Sequence, residues 1–115
     1  MSVTIYHNPR CSKSRQTLTL LQDQGVDPEV VEYLKTPLSQ AAVKKIVRQL
    51  NISAADLVRK KEKLFKELCP DGELTDAQAI RLLAEHPRLM ERPVVVAGNA
   101  AAIGRPPENV LDLLQ

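Results

Sequence analysis

The pattern of apolar and polar positions changes period several times along the chain, and each change marks an element. Val3-Thr4-Ile5-Tyr6 is a β-rich run, followed by the turn signal His7-Asn8-Pro9. A helical stretch follows from about Ser12 to Gln24, ending near Gly25, with Leu18 and Leu21 toward the core. Val30-Val31-Glu32-Tyr33-Leu34 is a second β-rich run, so residues 3–34 form a βαβ unit closed by Thr36-Pro37. Ser39 is placed to cap the next helix, where Val43, Ile46, Val47 and Leu50 recur at i, i+3, i+4 and i+7. Ser53 to Glu67 also reads as helical, with a break allowed, before Cys69-Pro70-Asp71-Gly72 turns the chain. Thr75-Asp76-Ala77-Gln78 is a capping box, and Ile80, Leu83 and Ala84 line the buried side of a helix that stops before Pro87.

The last third returns to a period of two. Pro93-Val94-Val95-Val96 and Ala101-Ala102-Ile103 flank Gly98-Asn99, which predicts a tight hairpin. Pro106-Pro107-Glu108 then opens a final helix, with Val110, Leu111 and Leu114 on its apolar face. A βαβ half and a ββα half around one four-stranded mixed sheet make an α/β protein of the thioredoxin-like fold. Residues 1–115 then form a single domain with a helical insertion at about 37–91, and that fold places a cis-proline at Arg92-Pro93.

Composition narrows the function. At 115 residues there is room for one core. Sixteen Lys and Arg against fourteen Asp and Glu leave +2, and Phe, Tyr and Trp together number three. Such a chain offers neither a strong field for a polyanion nor a platform for stacking bases, so nucleic acid is not an expected partner. No apolar run approaches the roughly 20 residues that span a bilayer, and Met1 to Arg10 lacks the apolar centre of a signal peptide. The expectation is a cytoplasmic monomer with no membrane partner. Cys11 and Cys69 are too few for a disulfide scaffold, and with His7 and His86 they do not have zinc spacing, so both read as reduced thiols. His86 before Pro87 reads as a helix-end residue. The four glycines fit no phosphate loop or dinucleotide fingerprint, and no bound cofactor is expected.

Chemistry concentrates at Cys11. It stands between the first strand and the first helix, where free backbone N–H groups and the positive helix end favour a thiolate and cradle an anion alike. His7, Arg10, Lys13 and Arg15 add positive potential there. Ser14 makes the motif Cys-x-x-Ser rather than Cys-x-x-Cys, and Thr17 stands where a cysteine phosphatase needs arginine. Arg59, Arg92 and Arg105 come from distant segments that the fold can bring to Cys11, and a guanidinium grips two oxyanion oxygens at once. Cys69 at a helix end has no partner spacing and reads as structural.

Four segments, in order, carry a resemblance. Tyr6 to Arg15 (YHNPRCSKSR), Leu57 to Lys60 (LVRK), His86 to Val96 (HPRLMERPVVV) and Gly104 to Glu108 (GRPPE) together resemble the glutaredoxin-linked arsenate reductases, the ArsC family, and most closely its YfgD-type branch, which shares Cys-Ser-Lys-Ser-Arg. The likeness runs from about Val3 to Leu114. It implies Cys11 as nucleophile and Arg59, Arg92 and Arg105 as ligands of arsenate, with phosphate as a competitor. It makes His7 the histidine that tunes the thiolate, and Ser14 and Arg15 part of the helix-start motif. Glutathione would be the co-substrate and glutaredoxin the partner. Ser12-Lys13 replaces the family's usual Gly-Thr and adds bulk and charge beside the anion site. Two other functions fit parts of the pattern: a monothiol, glutathione-dependent thiol transferase, and a polymerase-binding redox regulator of the Spx type, which generally carries Cys-x-x-Cys.

Overall fold

A computed structural model describes residues 2–114. The chain divides into two compact units, one formed by the segment up to Thr36 together with that from Arg92 onward, the other by Pro37–Glu91.

The first unit is built on a four-stranded sheet in the order β2-β1-β3-β4. β1 (Val3–Tyr6) lies parallel to β2 (Glu29–Val31) and antiparallel to β3 (Val94–Ala97), which pairs antiparallel with β4 (Ala100–Ile103). With α1 (Ser12–Asp23) crossing between the two parallel strands, this is the thioredoxin-like arrangement. β1 and β3 are the central strands, so Ile5 and Val95 are wholly buried and pack with Leu21 of α1 and Val110 of the C-terminal helix. Each such side chain contributes about 1.5–3 kcal/mol by leaving water. Ala97 pairs with Ala100 around the two-residue turn Gly98-Asn99, where Gly98 takes a left-handed φ of 62° that suits a glycine. The Arg92–Pro93 peptide is cis, as the fold predicts, and so is Arg105–Pro106.

Two elements of this unit differ from expectation. The second strand ends at Val31 rather than Leu34, because β1 gives out at Tyr6 and the last bond, His7 N–H to Val31 O, exhausts its partner. Lys35 and Thr36 then both donate to Glu32 O, turning the chain so that Tyr33 is buried and Leu34 exposed. The C-terminal helix, Pro107–Leu114, is wound as a 3₁₀ helix, beginning with the Asn109 N–H to Pro106 O bond. Pro107 and Val110 are buried and Leu113 and Leu114 pack against the core, so Val110 and Leu114 lie on the apolar face as expected, while Leu111 is half-buried.

In the second unit, α2 (Gln40–Leu50) starts where Ser39 Oγ accepts the Ala42 N–H, and α4 (Asp76–Glu85) starts on the reciprocal Thr75–Gln78 capping box. Val43, Ile46, Ala79 and Leu83 supply its buried side. The helical stretch expected over 53–67 is broken, as its sequence allows, into a 3₁₀ turn, Ala54–Leu57, and a short α3, Lys63–Leu68. Between them Val58 is extended and bridges to Met90. Arg59 N–H donates to Leu89 O and Glu91 N–H to Leu57 O, so the backbone groups a continuous helix would need are engaged elsewhere. No helix is long and apolar enough to cross a membrane among the described residues.

Candidate active site

Cys11 is the N-cap of α1, held in extended conformation, with its N–H donated to Asn8 O and its carbonyl accepting the Arg15 N–H. Asn8 makes this loop self-supporting, since its side-chain oxygen also accepts the Arg10 N–H. The thiol is therefore carried on the first turn, where no acidic residue offsets the positive helix end.

Arg92 and Arg105 come to it from the two ends of the β3–β4 hairpin. Arg105 Nη2 lies 3.7 Å from Cys11 Sγ, within reach of a hydrogen bond to sulfur, and its Nε donates to Arg92 O at 2.7 Å. The Arg92 guanidinium favours the thiolate by its charge, while its Nε–H is buried without a hydrogen-bond partner among the described residues. Burial by itself pushes the Cys11 thiol up. The Ser14 N–H, the charge of Arg92 and the Lys13 N–H outweigh it, so the net shift is downward. The sulfur makes no capping hydrogen bond, and the Ser14 and Lys13 amides favour its charged form from the start of the helix. Among the described residues no carboxylate pairs with Arg10, Lys13, Arg15, Arg92 or Arg105. A thiol shifted toward its charged form and cations without a carboxylate partner thus meet at one helix start, a setting that suits an anion.

His7 and Ser14 sit behind the thiol loop. His7 Nδ1 and Ser14 Oγ are 2.6 Å apart, and Ser14 Oγ accepts the Asn8 N–H at 3.0 Å. The hydroxyl is fully used when its O–H donates to Nδ1 of a neutral imidazole. Burial lowers the His7 pKa, Glu32 raises it and Arg15 lowers it, with a net downward shift that keeps the ring neutral. Because the folded value lies below the ordinary one, the unfolded chain holds the extra proton between them. Stability is full above about pH 6.5 and declines as pH falls through the folded value. A thermal melting series from about pH 7.5 to 5 is expected to show this decline in the native chain and a flatter one in His7→Gln. Equal slopes would mean that His7 does not carry this pH dependence.

Arg15 faces outward and its Nη1 donates to Pro9 O at 2.9 Å, bracing the loop rather than pointing at sulfur. Arg59 belongs to the other unit, where its guanidinium is paired with Glu62 and, at 3.9 Å, with Glu91. Cys69 caps the C-terminus of α3 and borders a cavity of about 910 Å³ that His86, the C-cap of α4, also lines. No group of three or more metal-ligating side chains occurs among the described residues.

Two residues of the site were missed in the sequence. Thr17 is wholly buried and donates to Lys13 O, and Gly104, immediately before Arg105, packs against it. The available signal was the buried spacing Ser14, Thr17, Leu21 on α1, in which two small polar residues mark a close approach rather than an apolar stripe.

The model of the ArsC family matches residues 6–113. The chain is 52% identical over 114 residues to the uncharacterized protein YfgD of Escherichia coli strain K12, covering 97% of this chain and 96% of that one. It is 44% identical over 116 residues to the arsenate reductase of Haemophilus influenzae, covering 99% and 100%. The structure of an arsenate reductase from Vibrio cholerae superposes with a TM-score of 0.93 at 49% identity, covering 98% of each chain.

Proposed function

Since the chain belongs to the ArsC family, we propose that it is an arsenate reductase that works through a covalent adduct on Cys11, with glutathione as co-substrate and glutaredoxin as partner. The observation that carries the reading is the meeting of Cys11, whose thiol is shifted toward the thiolate, with Arg92 and Arg105, the first holding a buried Nε–H free for an oxyanion oxygen.

Arsenate enters as an anion between the arginines and the α1 start. The Cys11 thiolate attacks arsenic(V); an S–As bond forms, an As–O bond breaks, and the oxygen leaves as water after taking protons. Arg92 and Arg105 stabilise the charge on the remaining oxygens, which is where catalysis is concentrated. Glutathione then adds through sulfur to arsenic, displacing a second water. A glutaredoxin thiolate attacks the glutathione sulfur, and the As–S electron pair stays on arsenic, which becomes arsenic(III). Water cleaves the remaining S–As bond, releasing arsenite and the Cys11 thiolate. The net change is one arsenate and two thiols to one arsenite, one disulfide and one water. Arg59 enters through the family resemblance, and holding an oxyanion would require its guanidinium to exchange Glu62 or Glu91 for it. Phosphate, of similar shape and charge, binds and competes but is not reduced by thiols.

Arsenite formation measured with purified protein, glutathione, glutaredoxin and glutathione reductase tests this, with glutathione and glutaredoxin omitted in turn. Turnover that needs both, and persists in Cys69→Ser, is the expected result. No arsenite from the intact mixture would end the assignment, and transfer of glutathione between thiols by the same sample would install thiol transferase in its place.

A further inference from the structure

We infer that Thr17 is a positioning residue for the anion site: its buried side chain is the spacer between the turn of α1 that carries Cys11 and the point of the hairpin from which Arg105 projects. The inference deepens the proposed function and rests on the anion site described there.

Thr17 has no exposed surface, and its Oγ1 donates to Lys13 O at 2.8 Å, one turn back toward Cys11. That bond selects the rotamer, because a helical threonine can reach the i−4 carbonyl in only one orientation of Cβ. The orientation faces Oγ1 and Cγ2 toward Gly104. A Cβ placed on Gly104 would lie 2.6 Å from Thr17 Oγ1, 3.1 Å from Thr17 Cγ2 and 2.9 Å from Pro93 Cγ. Backbone and side chain therefore touch without slack, and Gly104 is required by close approach. Gly104 N–H is in turn fixed to Pro93 O at 2.9 Å, and the next residue is Arg105, whose Nε holds Arg92 O and whose Nη2 reaches Cys11. One contact thus sets how far both arginines stand from the sulfur. The hydroxyl is not required as a buried partner, since Lys13 O is the natural acceptor of the helix; its consequence is the placement of the side chain.

Protection of Cys11 from iodoacetamide by inorganic phosphate, read in a Cys69→Ser background, measures anion binding without turnover. The phosphate concentration that halves alkylation is expected to rise roughly tenfold in Gly104→Ala, since small displacements of a charge clamp are costly. Gly104→Ala with Thr17→Ala should recover much of that loss, because both Thr17 atoms in the way are gone and only Pro93 Cγ remains. Thr17→Ser keeps the hydroxyl and should stay near the native value. A Gly104→Ala protein that melts lower yet is protected at native phosphate concentrations would overturn the inference, as would a double variant no better than the single. If Gly104→Ala does not fold, Thr17→Val serves: a methyl in place of Oγ1 should raise the half-protecting concentration several-fold, and no change would overturn the inference. A chain that phosphate protects but that makes no arsenite would end the reductase reading and leave the role of Thr17 standing. A native chain that phosphate does not protect would overturn both.

Discussion

Cys11→Ser should lower arsenite formation by roughly 10³-fold or more, while the melting temperature stays close to that of the native chain. Serine is nearly isosteric and can still cap α1, so the fold keeps its helix start. The reaction, in contrast, loses its nucleophile outright: a hydroxyl at neutral pH is almost wholly protonated, and the amides and arginines that favour a thiolate cannot bring it into range. Phosphate and arsenate should still bind to Cys11→Ser, because their ligands are the arginines and the helix start. Loss of binding together with turnover would mean that serine had damaged the site rather than removed its chemistry.

Arg92→Gln is expected to lower kcat/KM by roughly 10²–10³-fold, the effect of removing one donor from an oxyanion site, or about 2.7–4 kcal/mol. Two consequences combine in that figure. Arg92 lowers the Cys11 thiol by its charge, so glutamine should move the pH midpoint of Cys11 alkylation upward. Arg92 also has a buried Nε–H with no partner, which an oxyanion would satisfy and glutamine would not. Arg92→Lys separates the two, since it restores charge without the planar fork. Its alkylation midpoint should return toward the native value, whereas its KM for arsenate should remain high. A surface arginine would show neither effect, and kinetics within a fewfold of native in both variants would place Arg92 outside the site.

Much of this arrangement was legible in the sequence. The turn at Asn8-Pro9 and the change from strand to helix at Cys11 are local signals, and local hydrogen bonds dictate what they produce; the cis peptide at Arg92-Pro93 follows from the fold and not from its neighbours in the chain. The capping box at Thr75 is similarly self-contained. What escaped depends on partners far along the chain. Val58 reads as helical from its neighbours, but its bridge to Met90 is decided by a segment some thirty residues away. The second strand ends at Val31 because β1 ends, which its own β-rich composition does not disclose. The contact between Thr17 and Gly104 joins two ordinary residues whose importance lies wholly in how closely they approach. The ion pairs of Arg59 with Glu62 and Glu91 likewise come from side chains that the motif around it does not include.

The proposed chemistry requires Cys11 to be a thiolate beside Arg92 and Arg105, and the rate of its alkylation by iodoacetamide as a function of pH, in a Cys69→Ser background, measures that directly. The expected midpoint lies below the ordinary thiol value of about 8.5 and rises in Arg92→Gln. A midpoint at or above that value, unmoved by Arg92→Gln, would mean that burial prevails over the amides and the arginine, and would leave the site without its nucleophile.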